Sequence, residues 1–110
     1  ILESSGDILG LIRGATFNIK PTYTHENFVI AMRWNGSTLN TWYNDDAVRT
    51  QTIGTAAEET TVDFLVGART PSAVSFNYDG GLGRQLIYGR DFSDTEVEEM
   101  MARLQEYYSL

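Results

Sequence analysis

The stretch that decides the fold is residues 81–108, GLGRQLIYGRDFSDTEVEEMMARLQEYY. Its first part, up to Tyr88, has the pattern of a strand, and a tight turn follows. Ser93 is a favourable helix N-cap, and Glu96 three residues later completes a capping box. Apolar residues then recur at the spacing of one helix face, namely Val97, Met100, Met101, Leu104, Tyr107 and Tyr108. The stretch therefore predicts a closing strand followed by a single capped helix with one apolar stripe.

Upstream of this stretch, the sequence alternates in the manner of β-strands. The side chains of residues 28–34 and 38–43 alternate between two strand faces, and Asn35-Gly36 between them is a strong hairpin signal. A turn at 44–46 leads to a polar stretch at 47–53, which we interpret as an exposed or edge strand. Further strand patterns lie at 7–13, 15–20, 62–66 and 74–78. About seven or eight short strands with regular turns predict an all-β protein, an antiparallel β-sandwich with one C-terminal α-helix.

Residues 84–97, RQLIYGRDFSDTEV, resemble the closing segment of the concanavalin A-like lectin/glucanase superfamily, in particular of laminin-G-like domains. Those domains often end on an aliphatic-Tyr-x-Arg-x-Leu-Ser-Asp-x-Glu-Ile pattern. Phe92 stands here in place of the leucine and Val97 in place of the isoleucine. The hairpin at 28–43 and the strand at 62–67 are also similar, so the resemblance covers residues 28–110 and implies a jelly-roll sandwich. Such domains usually run beyond 110 residues, so we expect the N-terminal strands to be shortened, absent or supplied by something else.

Composition limits the classes of function that the chain can serve. The chain has 110 residues, no cysteine and a net charge of −7. This length predicts one lectin-like domain over residues 1–110, and a start at Ile1 suggests part of a longer protein. The acidic balance argues against a nucleic-acid partner. The lack of cysteine excludes disulfides and zinc–thiolate sites. No apolar run approaches transmembrane length, so we do not expect membrane insertion.

The residues needed for catalysis are not arranged for it. Glucanases of the resembled superfamily carry acidic residues on one strand as Glu-x-Asp-x-x-Glu, because glycoside hydrolysis uses a carboxylate pair. That spacing does not occur here, and the adjacent Glu58 and Glu59 would point apart on a strand. A serine-nucleophile triad would need the single histidine, His25, as its base, but no Gly-x-Ser-x-Gly motif is present in the sequence. We therefore expect the chain not to be an enzyme.

A shallow sugar site needs an aromatic face and polar acceptors near it. Trp42 alternates with Leu39 and Tyr43 along its strand and directly precedes an Asn-Asp-Asp turn, so we expect it to be exposed, whereas Trp34 is expected in the core. The predicted ligand-binding residues are Trp42, Asn44, Asp45, Asp46, Tyr23 and Asp79.

Calcium is the metal ion that the predicted loops carrying these residues could hold. Ca²⁺ takes about six to eight oxygen ligands, and the candidate donors are Asn44, Asp45, Asp46 and Asp79. The resemblance supports this alternative, since related domains often bind Ca²⁺ in loops at one rim. The spacing matches no specific calcium motif, and turn formation explains the same residues without a metal. We expect no cofactor, with Ca²⁺ as the open alternative.

Two functions remain open at this point. The first is a non-catalytic glycan-binding or adhesion module of a surface-exposed protein, with a glycan or cell-surface polysaccharide as partner. The second is a structural module of a virion, such as a phage decoration, fibre or head-surface protein, that mediates assembly contacts. Both place the chain outside the cell, on a cell surface or on a virion surface.

The N-terminal strand predicts neighbouring subunits. Residues 7–13 are apolar on both faces, with Ile8 and Ile12 on one and Leu9 and Leu11 on the other. Because a first strand exposed to water should have a polar face, either residues upstream of Ile1 or a neighbouring subunit should cover it. We therefore expect a homo-oligomer or a fixed place in a larger assembly.

Overall fold

The part of the chain that the structure describes is β-rich, with two three-stranded antiparallel sheets and one C-terminal helix. The computed structural model describes residues 2–4, 6–12, 15–24, 26–35, 37–52 and 81–110. Contacts group the chain into two compact units, Ile1–Thr24 with Gly54–Ile87 and His25–Ile53 with Tyr88–Leu110. The predicted β-rich class with a terminal helix is confirmed for the described residues. The predicted strands at 62–66 and 74–78 lie outside them.

The sheet of the first unit has β2 at its centre. Its strands are β1 (Leu2–Ser4), β2 (Asp7–Ile12) and β3 (Ala15–Lys20), hydrogen-bonded in the order β1-β2-β3. The alternation of the sequence predicted β2 and β3 but not β1. The interpretation of residues 7–13 as the first strand of the domain is therefore wrong, because β1 supplies a ladder partner on that side. Leu9 on β2 is nevertheless only half-buried.

One face of this sheet is closely packed. Ile8, Phe17 and Ile19 are all at most 4% exposed. Gly10 lies opposite Phe17 in the ladder, and a Cβ atom added to Gly10 would overlap the Phe17 ring. A glycine inside a strand usually weakens it, but here it lets an aromatic ring lie directly over the backbone. Position 10 is therefore restricted by packing rather than by a turn.

The carboxylate of Asp7 fixes the chain after β3. It accepts hydrogen bonds from Asn18 Nδ2 at 2.8 Å and from the backbone N–H of Thr22 at 2.9 Å. Thr22 has a positive φ of 54°, a conformation that a β-branched residue adopts only when its surroundings impose it. The next residue, Tyr23, donates its backbone N–H to the Gly6 carbonyl and is 9% exposed. Tyr23 is thus held in place and does not present a free ring face.

The sheet of the second unit is built on the predicted hairpin. Its strands are β4 (Ile30–Trp34), β5 (Thr38–Tyr43) and β6 (Arg49–Thr52), in the order β4-β5-β6. Asn35 closes the hairpin, since its Oδ1 accepts from the backbone N–H of Ser37 at 3.2 Å and of Thr38 at 2.8 Å. Three of the four residues of β6 are exposed, which confirms the predicted polar strand in a shorter form.

The terminal helix α1 (Asp94–Tyr107) begins where the sequence predicts. The Ser93 side chain accepts from the Glu96 N–H at 3.2 Å, and the Glu96 carboxylate accepts from the Ser93 N–H at 3.1 Å. Both halves of the capping box are therefore formed. The apolar stripe is shorter than predicted, because Val97 and Met101 are buried whereas Tyr107 is 71% exposed.

The closing strand predicted before this helix is wrong. Residues 81–90 form no strand, and the side chains of Leu86, Ile87 and Tyr88 are 48%, 75% and 52% exposed. A strand requires a ladder partner, and no ladder among the described residues includes this segment. The residues expected to pair with it, 62–66 and 74–78, lie outside the described part of the chain.

Candidate functional site

The candidate site lies in the second unit, where Trp42 meets helix α1. In the β4–β5 ladder, Trp42 lies opposite Ala31, and Asn40 lies opposite Arg33. Directly opposed residues share a sheet face, so these four side chains lie on one face, while Leu39 and Tyr43 lie on the other. The predicted separation of Trp42 from Leu39 and Tyr43 is therefore confirmed.

Helix α1 covers the Trp42 face. Trp42, Val97 and Met101 form a buried cluster, and four partly buried residues pack around it: Val29, Ala31, Val48 and Phe92. Complete burial of a side chain such as Val97 or Met101 stabilises a fold by about 1.5–3 kcal/mol. Trp42 is consequently only 2% exposed. The prediction of an exposed Trp42 that stacks on a sugar is wrong, because both faces of β5 are covered.

The turn after β5 is fixed by Asn44. Its φ of 46° is left-handed, which asparagine tolerates better than most residues. Its backbone N–H donates to the Val29 carbonyl at 2.9 Å, and its Oδ1 accepts from the Val29 N–H at 2.8 Å. The Asp46 N–H donates to the Tyr43 carbonyl at 2.9 Å and completes the predicted turn. Asp45 and Asp46 are left exposed at its tip.

One face of α1 stands beside this turn. Glu98, Met101, Ala102 and Gln105 follow one another at helix positions i, i+3, i+4 and i+7, so they lie on the same side. Between them and the turn is an open pocket of about 320 Å³. Its lining residues are Trp42, Asn44, Asp45, Asp46, Ala47, Glu98, Met101, Ala102 and Gln105.

The structure thus brings together four of the six predicted site residues, Trp42 and the three turn residues. Tyr23 belongs to the first unit and is buried, so its prediction as an exposed contact residue is wrong. Asp79 lies outside the described residues, as does His25. The residues that α1 contributes to the pocket lining were not predicted. Their spacing showed that they share a helix face, but not which part of the sheet that face meets.

The pocket combines an apolar base with an acidic rim. Met101, Ala47 and Ala102 supply apolar surface, and carboxylates come from both the turn and the helix. Among the described residues that line the pocket, none is a lysine, arginine or histidine. The Trp42 Nε1–H is buried and has no hydrogen-bond partner in the part of the chain that the structure describes. A buried donor without a partner costs free energy.

The described residues contain no group of three or more carboxylate, histidine or cysteine side chains that could hold a metal ion. The Asn44 oxygen is also already committed to the Val29 N–H. A calcium site made by the turn alone would therefore lack ligands, because Ca²⁺ takes about six to eight oxygens.

Arg33 contacts the start of helix α1, which lines one side of the pocket, and its role was not predicted. Its guanidinium donates to the Phe92 carbonyl at 2.7 Å and to Asn40 Oδ1 at 2.7 Å, and it pairs with Asp94 at 2.6 Å. It also lies 5.3 Å from the centre of the Trp42 ring, within cation–π distance. A signal for Arg33 was present in the sequence. The hairpin places this arginine on the same sheet face as Ala31 and Trp42, and a charged residue beside apolar ones needs an acidic partner.

The comparisons with known proteins add no identity to this geometry. No family model matches the chain, and neither does any curated protein or solved structure. The described helix is too short and too polar to cross a membrane.

Proposed function

We propose that this chain is a non-catalytic glycan-binding or adhesion module of the concanavalin A-like type, and that its pocket holds one sugar unit. The observation that carries the proposal is the pocket between the 44–47 turn and α1. Small-molecule pockets are usually about 300–1,000 Å³, so a volume of about 320 Å³ suits a single sugar unit rather than a long chain.

Hydrogen bonding, rather than stacking on an aromatic ring, would hold the sugar. The carboxylates of Asp45 and Glu98 and the amide of Gln105 line the pocket from two sides and can bond to hydroxyl groups. The apolar surface of Met101 and Ala102 suits the C–H groups of a sugar ring. Trp42 is 2% exposed and offers the sugar no open ring face.

The wider assignment rests on the sequence resemblance together with the β-rich fold. The capped helix that follows Arg90 and Phe92 in the resembled motif supports an all-β jelly-roll sandwich. The proposal includes no catalysis, because the sequence offers no strand with the carboxylate spacing of the superfamily's glucanases. It places the module outside the cell, on a cell surface or on a virion surface, where its glycan partner would be found.

Filling the pocket tests this proposal. Ala102 is exposed on α1 and lines the pocket, so Ala102→Trp should fill the space without removing a charge. The matched control is Thr95→Trp, at an exposed helix position that does not line the pocket. We expect the chain to retain particular glycans on an array, Ala102→Trp to lose them, and Thr95→Trp to keep them. A chain that retains no glycan, or one whose binding survives Ala102→Trp, would refute the proposal.

The second candidate is a structural module of a virion, such as a phage decoration, fibre or head-surface protein. Large apolar side chains at the end of the second unit favour it, since Tyr107, Tyr108 and Leu110 are 71%, 45% and 44% exposed. Clustered exposed apolar residues often mark protein contacts. In this function the chain would form homo-oligomers or occupy a fixed place among neighbouring subunits. Sedimentation velocity over a wide concentration range tests self-association, and a monomer throughout would argue against a homo-oligomer.

A further inference from the structure

The hairpin between β4 and β5 carries the sequence Asn35-Gly36-Ser37. Asn35 is the only asparagine in the sequence that is followed by glycine. The carboxamide carbon of an asparagine is within covalent reach of the next backbone nitrogen, and their reaction closes a five-membered ring. Because glycine has no Cβ, it hinders this ring closure less than any other residue does. Asn35 is therefore the asparagine most open to attack by its own chain.

The two ends of the Asn35 carboxamide have different surroundings. The oxygen Oδ1 accepts hydrogen bonds from the backbone N–H groups of Ser37 at 3.2 Å and of Thr38 at 2.8 Å. The nitrogen Nδ2 donates no hydrogen bond to any residue in the described part of the chain, and Asn35 is exposed to water. The structure thus fixes the oxygen and leaves the nitrogen free to depart.

The two N–H donors point at the atom on which charge develops during ring closure. When a nitrogen attacks the Cγ carbon, negative charge accumulates on Oδ1. Hydrogen bonds to a charged acceptor are roughly twice as strong as bonds to a neutral one. The donors of Ser37 and Thr38 therefore stabilise the transition state more than the starting amide, in the manner of an oxyanion hole.

We propose that Asn35 is a self-modifying site, at which the folded chain converts asparagine to aspartate and isoaspartate with water as the only co-reactant. The Gly36 nitrogen loses its proton and bonds to Cγ, the Cγ–Nδ2 bond breaks, and Nδ2 leaves with a proton as ammonia. Water then opens the cyclic imide. Cleavage at Cγ gives aspartate, whereas cleavage at the main-chain carbonyl gives isoaspartate. The reaction is independent of the proposed glycan function.

The two products affect the hairpin differently, although each adds one negative charge to the net −7 of the chain. Aspartate keeps the oxygen that accepts from Ser37 and Thr38, and its charge strengthens both hydrogen bonds. Isoaspartate inserts one extra carbon into the main chain. It therefore disturbs the bond from the Asn35 N–H to the Thr38 carbonyl, which closes the hairpin at 3.3 Å.

Incubation of the intact chain at neutral pH, followed by peptide mapping with mass spectrometry, tests the proposal. The comparator is the peptide RWNGST with blocked termini, which has the sequence of residues 33–38 without the fold. Because the site is exposed to water, we expect conversion in the folded chain to be about three- to tenfold faster than in the peptide, less than buried donors contribute in an enzyme. Conversion that is no faster than in the peptide would overturn the proposal.

Two controls establish that ring closure at Asn35 is the reaction. Asn44 lies in the same digest, and its Oδ1 also accepts a backbone N–H, but Asp45 follows it instead of glycine. We expect Asn44 to convert far more slowly than Asn35, and equal rates would overturn the proposal. Asn35→Gln keeps the carboxamide but needs a larger ring, so this variant should gain no charge at position 35. Gain of charge there at the parent rate would show direct hydrolysis and also overturn it.

Discussion

The Arg33 guanidinium donates a 2.7 Å hydrogen bond to the Phe92 carbonyl, which lies 59 residues away in the sequence. The same guanidinium pairs with the Asp94 carboxylate in the first turn of α1 at 2.6 Å. One side chain of β4 thereby holds both the residue before the N-cap and the first residue of the helix. The position of α1 on its sheet, and with it the helix wall of the pocket, depends on this contact.

Replacement of Arg33 should loosen the helix. We expect Arg33→Ala to lower the free energy of unfolding by about 1–3 kcal/mol, because it removes hydrogen bonds from a side chain that is only 20% exposed. The ion pair itself adds little to this loss, because Asp94 is half-exposed and solvent screens the pair. Chemical denaturation followed by circular dichroism measures the change.

Arg33→Lys and Arg103→Ala complete this test. Lysine keeps the charge but lacks the planar fork that reaches Phe92, Asn40 and Asp94 together, so Arg33→Lys should recover less than half of the loss. Arg103 is exposed on α1, and its replacement should change stability by less than about 0.5 kcal/mol. Full recovery by lysine would show that charge alone matters.

The stability lost when an apolar residue of α1 is replaced by alanine should increase with the burial of its side chain. Met101 is 3% exposed, so we expect Met101→Ala to cost about 2–5 kcal/mol through the cavity that it leaves. Leu104 is only half-buried, and Leu104→Ala should cost less than about 2 kcal/mol. Thermal and urea unfolding of both variants should agree on this order. Equal losses would mean that the helix stripe is buried along its whole length.

Gly10 should not tolerate a methyl group. Its missing Cβ would overlap the Phe17 ring, so Gly10→Ala should destabilise the first sheet by about 1–3 kcal/mol. Phe17→Leu removes the ring, and the double variant should therefore lose less than the sum of the two single variants. Gly83→Ala is the matched control, because nothing lies within 4 Å of the Cβ that it would add. Additive losses would place the strain elsewhere.

The capping box gives the helix a pH dependence. The backbone hydrogen bond from Ser93, with a lesser contribution from the charge of Arg90, lowers the pKa of Glu96 below the ordinary value of a glutamate, although desolvation acts in the opposite direction. A carboxyl group with a lowered folded-state pKa stabilises the fold above its unfolded pKa, and this contribution is lost as the pH falls through the folded value.

Glu96→Gln isolates this contribution. The variant should be less stable than the parent at pH 7, and the difference should shrink as the pH is lowered from 5 toward 2. Thermal unfolding at stepped pH values measures it, with Glu99→Gln as an exposed control on the same helix. A difference that stays constant down to pH 2 would show that the hydrogen bonds of Glu96, and not its charge, account for its effect.

Features that depend on near neighbours in the chain could be predicted from the sequence. The Ser93–Glu96 capping box, the hairpin at Asn35 and the Tyr43–Asp46 hydrogen bond of the next turn each rest on contacts within a few residues, and the structure contains all three. The bounds of β3 and β5 were likewise predicted, because successive side chains of a strand alternate between its two faces.

Features that depend on distant segments could not be predicted. Trp42 lies on the face opposite Leu39 and directly precedes the Asn-Asp-Asp turn, which suggested exposure, whereas its burial depends on the distant residues Val97 and Met101 of α1. The strand predicted to end at Tyr88 also depends on distant segments, since a strand needs a ladder partner and no ladder among the described residues includes this stretch. The turn half of the pocket was therefore predictable, whereas the helix half was not.

The burial of Trp42 has a photophysical consequence. Indole emission responds to nearby charge and to water, and the Trp42 ring has the Arg33 guanidinium 5.3 Å from its centre and forms part of the pocket lining. The only other tryptophan, Trp34, lies on the opposite face of the sheet. A Trp34→Phe protein would carry one intrinsic fluorophore, and its emission would register both the seating of α1 and the arrival of a ligand without any attached dye.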